Sequence, residues 1–248
     1  SPISDFVCSN NTINAYYMGI YYLYYFNGPV ITNNTINGTS YFANYGIYEV
    51  YGNVTTTKPM LIANNRIRGF VTYGLLVEYP KGTSATNRAK IMNNVILNTA
   101  PNSYGLMVYY PANTDMLNNT VVISGGTSSS TSYAAGYFTQ IGDNNRIMNN
   151  LFVNYTGSPA YSPNFNTSFT NNEVDYNTYY TTGSVFAYDI WNGVNLAANM
   201  SAWRASSYSA PNKADRNSIF YDPGVNPVTG MPDPSNPGAW AINGRGKQ

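Results

Sequence analysis

The chain has 248 residues, 12 Lys and Arg against 11 Asp and Glu, and a formal net charge of +1. Charge this sparse and balanced, 9% of residues, excludes the basic surface that nucleic acid or an anionic membrane demands. With no His and a single Cys, Ser-His and Cys-His nucleophiles, zinc clusters and a disulfide framework are excluded too.

In chain order, Ser1-Pro2-Ile3 enters a repeat almost at once, without initiator Met or signal peptide. The chain is therefore read as a processed product or a piece of a longer protein, with an upstream coil missing. An Asn-Asn pair then recurs at Asn10-Asn11, Asn33-Asn34, Asn64-Asn65, Asn93-Asn94, Asn118-Asn119, Asn149-Asn150 and Asn171-Asn172. Two residues before each pair stands an apolar side chain (Cys8, Ile31, Ile62, Ile91, Met116, Ile147, Phe169). Three residues after its first Asn stands another (Ile13, Ile36, Ile67, Ile96, Val121, Phe152, Val174). The intervals of 23, 31, 29, 25, 31 and 22 residues lie in the range of stacked repeats. A constant motif at varying intervals implies a constant corner joined by loops of changing length, hence a solenoid of about seven coils. Asn tolerates the left-handed backbone of a corner, and stacked amides hydrogen-bond along a column. The pairs are predicted to supply both. Triplets such as Asn33-Asn34-Thr35, Asn37-Gly38-Thr39, Asn118-Asn119-Thr120 and Asn154-Tyr155-Thr156 mostly coincide with the corners and are read as structure rather than as glycan acceptors. Cys8 is read as a small buried hydrophobe.

These apolar-x-Asn-Asn-x-Ile units resemble those of the right-handed parallel β-helix superfamily, the pectate-lyase-like and NosD-like repeat proteins, over residues 5–180. The resemblance implies an all-β fold, a right-handed parallel β-helix with coils over 1–180 and a wrapping segment over 181–248 of the same domain. It also implies a bacterial secreted or surface protein, in keeping with a surface of Tyr, Asn, Ser and Thr. One fold hosts many functions, so function has to be argued from a site.

The strand after each corner alternates its faces. If the third position points inward, the outward row is Thr12 and Asn14, Thr35 and Asn37, Arg66 and Arg68, Val95 and Leu97, Thr120 and Val122, Leu151 and Val153, Glu173 and Asp175. Within it Val95, Leu97, Val122, Leu151 and Val153 form an apolar patch that needs a cover. The loop 125–135 or the tail after residue 180 can supply one, and a partner surface is the alternative. A second strand opens with Gly19, Gly46, Gly74, Gly105 and Gly136, with Tyr24, Tyr51, Tyr79, Tyr110 and then Ile141 five residues on. Stacking predicts an aromatic ladder there. Tyr21 and Tyr48, second after the Gly, are the candidates for holding a sugar ring.

Carbohydrate-active enzymes of this fold need paired carboxylates, or a calcium cluster with a basic residue. Glu49 and Glu78 fall in adjacent coils and would pair if both face out, with Arg66 and Arg68 as further catalytic candidates. Glu173 and Asp175 share a face and are the candidates for calcium; no other cofactor is expected. Three to four coils separate them from the arginines, roughly 15–20 Å at strand spacing, too far for one centre. In the tail, Leu196 to Ser207 reads as a short amphipathic helix with Asn195 as its cap, and Trp191, Trp203 and Trp240 as anchors of a wrap. No run reaches the roughly 18 apolar residues of a membrane span.

The reading is an extracellular or cell-surface scaffold, adhesin-like, part of a larger polypeptide, with polysaccharide or cell-surface components as partners. The alternatives are a polysaccharide lyase or glycoside hydrolase, and a structural protein docking a partner through the apolar patch.

Overall fold

The computed structural model describes residues 3–4, 6–23, 26–50, 58–128, 130–165, 171–206 and 214–236. Tyr24, Tyr51, Phe169, Ser207 and Trp240, all named above, lie outside them. Among the described residues the chain winds through three long sheets, one of seven strands and two of eight. The first turn shows the pattern: Val7–Ser9 lies in sheet A, Thr12–Ala15 in sheet B and Met18–Leu23 in sheet C. Later strands pair in parallel with their equivalents one turn away, except for the last strand of sheet C. The protein is thus the all-β parallel solenoid that its repeat predicts, with one short helix among the described residues.

The corner between sheets A and B divides its work between the two asparagines. The first of each pair takes the left-handed conformation, with φ of 56–58° from Asn10 to Asn149. The second turns its amide along the stack. Nδ2 of Asn11, Asn34, Asn65, Asn94 and Asn119 each donates to Oδ1 of the next rung at 3.0 Å, and Asn150 to Asn177 at 3.1 Å. The backbone N–H of each donates to the same oxygen, and each Nδ2 from Asn34 onward also donates to a carbonyl of the preceding turn. Every buried amide therefore uses two donors and accepts twice. An unmet group here costs about 1–3 kcal/mol, so the column fixes register as well as stability.

Asn177 on this ladder corrects one expectation. Asn171-Asn172 does not continue the column; it stacks on Asn144-Asn145 at the preceding corner, where the Asn145 N–H donates to Asn172 Oδ1. The seventh rung is Tyr176-Asn177, with Tyr176 at φ 57°. Glu173 and Asp175 consequently belong to sheet A, not to the row that holds Arg66 and Arg68.

Inside, Ile31, Ile62, Ile91, Met116 and Ile147 stack beneath sheet A, and Ile36, Ile67, Ile96 and Val121 beneath sheet B. Toward the C-terminal end aromatic rings replace them: Phe138, Phe152, Tyr161, Tyr179 and Phe186 meet at centroid distances of 4.9–6.1 Å. The change explains a second correction. Gly136 aligns with Leu106 rather than with Gly105, pointing inward, where an added Cβ would sit 2.7 Å from Phe152. The corner residue stacked after Tyr79 and Tyr110 is then Gln140, and Ile141 falls into the core.

A built cap closes the C-terminal end. Ile219–Phe220 adds to sheet B, placing Ser218 after Asn177 on the ladder, where its Oγ accepts from the Asn177 N–H at 2.7 Å. The buried Asp215 accepts from Ser218, Tyr179 and Trp203 at 2.6, 2.9 and 2.8 Å. Burial pushes its carboxyl above the usual range while these donors pull it down. The helix spans Met200–Ala205, with Asn199 and not Asn195 as its N-cap. Leu196 lies instead in the strand Val194–Ala197, which pairs antiparallel with Ala187–Asp189 and ends sheet C. Trp203 is fully buried, whereas Trp191 is half exposed; of the two, only Trp203 anchors the cap.

Candidate ligand-binding surface

Two outer faces carry the residues singled out in the sequence. On sheet B, Leu97, Val122, Leu151 and Val153 are buried in one cluster with Val225 of the tail, and Val95 packs at its margin. The tail is held by Tyr155, whose hydroxyl donates to Asp222 at 3.0 Å and accepts from the Val225 N–H at 3.0 Å. Arg66 donates to the carbonyls of Val228 and Thr229 at 2.7 and 2.9 Å. Tail and not loop 125–135 is the cover, and Arg66 is its clasp. Arg68 is exposed and donates to Asn37 Oδ1 at 2.6 Å, and Asn37 donates in turn to Asn14 at 2.9 Å. These side chains line a groove of about 450 Å³ closed on one side by Pro227 and Val228.

The carboxylate candidates do not meet as a pair. Glu49 is fully buried, aligned with the interior residues Tyr22 and Val77. Its Oε2 accepts from the Glu78 backbone N–H at 2.8 Å. Glu78 aligns with Tyr109 on the outer face of sheet C and is half buried. The two carboxylates thus sit on opposite sides of one sheet. Glu173 ends a column of alternating charge on sheet A, Lys90, Asp115, Arg146, Glu173, in which Arg146 clasps Asp115 at 2.7 and 2.5 Å. Asp175 accepts from the backbone and side chain of Asn217 at 2.6 and 2.7 Å, tying down the cap. Among the described residues no three of His, Cys, Asp and Glu gather in a way that would hold a metal.

What the molecule does gather is aromatic surface. Tyr45, Tyr73 and Tyr104, each preceding a glycine, stack at 5.3 and 5.1 Å with planes 12° and 9° apart. Rings stacked face to face along the solenoid spend their faces on one another and turn edges and hydroxyls outward. Burial raises the Tyr73 and Tyr104 phenols, with their neighbours' charge adding to it. Tyr73 and Tyr104, together with Tyr48, Tyr109 and Ile190, cover Leu76, Met107 and Tyr137.

At the first two coils the rings are free. Tyr41 is 77% and Tyr16 65% exposed, Tyr17, Tyr21 and Phe42 nearly half. They form two clusters: Phe42 meets Tyr41 at 3.8 Å and Tyr16 at 5.7 Å, while Tyr17 meets Tyr45 at 6.2 Å, Tyr45 stacks on Tyr48 at 4.8 Å, and Tyr48 meets Tyr21 at 5.3 Å. Tyr21 and Tyr48, expected from the sequence, lie at one end of this surface. The corner rings Tyr16, Tyr17, Tyr41 and Phe42 have a visible signal: they lie in the corners just after the strands Thr12–Ala15 and Thr35–Gly38.

No curated protein and no solved structure matches the chain. The family described as right handed beta helix region matches residues 4–137, more than half of the sequence. With that match and the three parallel sheets that the strands build, the chain belongs to the right-handed β-helix family.

Proposed function

We propose that this chain is a non-catalytic, extracellular β-helix module that holds polysaccharide against the exposed aromatic surface of its first two coils. The carrying observation is the pair of ring clusters on these coils, Tyr41, Phe42 and Tyr16 in one and Tyr17, Tyr45, Tyr48 and Tyr21 in the other, in which Tyr16, Tyr17, Tyr21, Tyr41 and Phe42 are open to solvent. Rigid amphipathic rings give contact area at low entropic cost. Asn14, Asn37 and Thr39, on the neighbouring face, supply the amides and hydroxyl that orient sugar hydroxyls. Against the enzymatic alternative stands the separation of Glu49 from Glu78 and the engagement of Arg66 by the tail. Against docking through the sheet B patch stands its cover by Val225.

The test is affinity electrophoresis and reducing-end release on a panel of neutral and acidic polysaccharides, with wild type and a Tyr16→Ala/Tyr41→Ala variant. Retention without turnover, weakened about tenfold or more in the variant as befits two lost stacking rings, is the expected result. Turnover, or retention indifferent to both rings, would sink the reading.

A further inference from the structure

Glu78 is a carboxylate in an unusual place. It projects from the outer face of sheet C two residues after Leu76, in register with Tyr109 on one side, while Leu76 aligns with Tyr48 on the other. Tyr48, Tyr73 and Tyr109 surround it closely enough for its charge to act on all three phenols, which burial already raises, those of Tyr48 and Tyr109 to about 12. Among the described residues no Lys or Arg forms an ion pair with Glu78, and its side chain accepts no hydrogen bond. Burial is what moves its own carboxyl up. Glu49, the other acid close by, faces the interior and meets Glu78 only at its backbone N–H. A half-buried charge left without a partner is a cost that a ligand can relieve.

We propose that Glu78, with the rings of Tyr48, Tyr73 and Tyr109, forms a subsite for an alkylammonium group. The carboxylate supplies the counter-charge. The phenol hydroxyls that the stacked rings turn outward supply the polar contacts, and Tyr109, only loosely stacked at 6.5 Å from Tyr110, supplies the cation–π contact that such groups favour. Because Tyr48 stacks on Tyr45 and meets Tyr21, the subsite is continuous with the aromatic surface at the first two coils. Resting on the polysaccharide reading, the inference narrows the ligand to a glycan carrying free amines, a de-N-acetylated hexosamine polymer. A quaternary ammonium headgroup has the same chemistry and is the other source that the experiment must separate.

The experiment is calorimetric titration of wild type and Glu78→Gln at pH 6 with a β-linked glucosamine hexamer, its fully N-acetylated counterpart and free choline. Thermal unfolding of both proteins checks that the variant is folded. Wild type is expected to prefer the amine over the acetylated hexamer by roughly tenfold, and Glu78→Gln to abolish the preference while keeping its affinity for the acetylated form. Choline binding that depends on Glu78, without a preference for the amino hexamer, keeps the cation subsite and assigns it to a headgroup. Equal affinity of wild type for both hexamers with no choline binding overturns the subsite and leaves the aromatic surface standing. A preference that survives in Glu78→Gln overturns it as well. The Tyr16→Ala/Tyr41→Ala variant separates the two ideas further: it is expected to weaken both hexamers alike and leave their ratio unchanged.

Discussion

Sheets B and C both turn apolar side chains away from the core, and the molecule deals with them in opposite ways. On sheet B the aliphatic strip Leu97, Val122, Leu151 and Val153 is roofed by a separate segment, pinned through Tyr155 and Arg66. On sheet C the apolar residues Leu76 and Met107 are shielded largely by tyrosines of the same sheet. Aliphatic side chains have no polar edge to offer water, so they need a roof. Tyrosine has an apolar body and a polar tip, so a row of tyrosines can be both covering and surface. The difference assigns roles: the roofed face stabilises, while the tyrosine face remains available to a ligand.

The largest contrast comes from placing a charge on each face. Val122→Asp, fully buried beneath the tail, is expected to cost on the order of 3 kcal/mol or more. Tyr21→Asp, on the other face and 45% exposed, should stay within about 0.5 kcal/mol. Urea denaturation followed by far-UV circular dichroism measures both, and similar losses would erase the distinction between roofed and open faces. A gentler break is Tyr155→Phe, which removes the hydroxyl shared by Asp222 and the Val225 N–H. It should cost about 1–2 kcal/mol, with faster amide exchange over residues 222–230 and none over the tyrosine column. Smaller still is Tyr73→Leu, which interrupts the stack between Tyr45 and Tyr104. A loss of about 0.5–1.5 kcal/mol is expected, with exchange in the tail unchanged.

Much of the fold was legible because its two rules are local. A left-handed Asn followed by an inward-turned Asn, with apolar residues at fixed offsets, marks a corner wherever it occurs. The same dipeptide, however, marks two different corners. Asn144-Asn145 and Asn171-Asn172 begin sheet A strands, whereas the ladder continues through Tyr176-Asn177. Val174, two residues before Tyr176 and stacked on Ile147, keeps the apolar spacing and was the available signal. Gly136 was misaligned for a different reason. Its role is to make room for Phe152, and an inward packing need cannot be told from a turn need in one sequence. Of the candidate surface, Tyr21 and Tyr48 followed from alternation. Glu49 and Glu78 were harder, because their offsets from the preceding glycine differ by one residue and so place them on opposite faces. The role of Arg66 as a clasp joins residues 162 and 163 positions apart, which no local pattern encodes.

The smallest effect concerns Glu78, which has no ion-pair partner among the described residues. Its carboxyl is raised above 4.5 by burial, so the folded protein holds this proton more readily than the unfolded chain. Stability should therefore fall as pH rises from the ordinary carboxylate value through the raised one, and stay level above it. Tyr48, Tyr73 and Tyr109 remain protonated throughout this range, so they do not mask the change. The buried Asp215 is shifted in the same direction, but it is present in both wild type and Glu78→Gln, and the difference between the two proteins isolates Glu78. The variant is expected to be slightly the more stable at pH 7 and equal to wild type once pH drops below 4.5, measured as paired thermal midpoints across the range. Saturating the wild type with an ammonium ligand should close the gap at pH 7, because the ligand supplies the charge that the face lacks. A Glu78→Gln protein less stable than wild type at neutral pH would mean that the carboxylate already has a partner, and the tyrosine face would then be as fully covered as the aliphatic one.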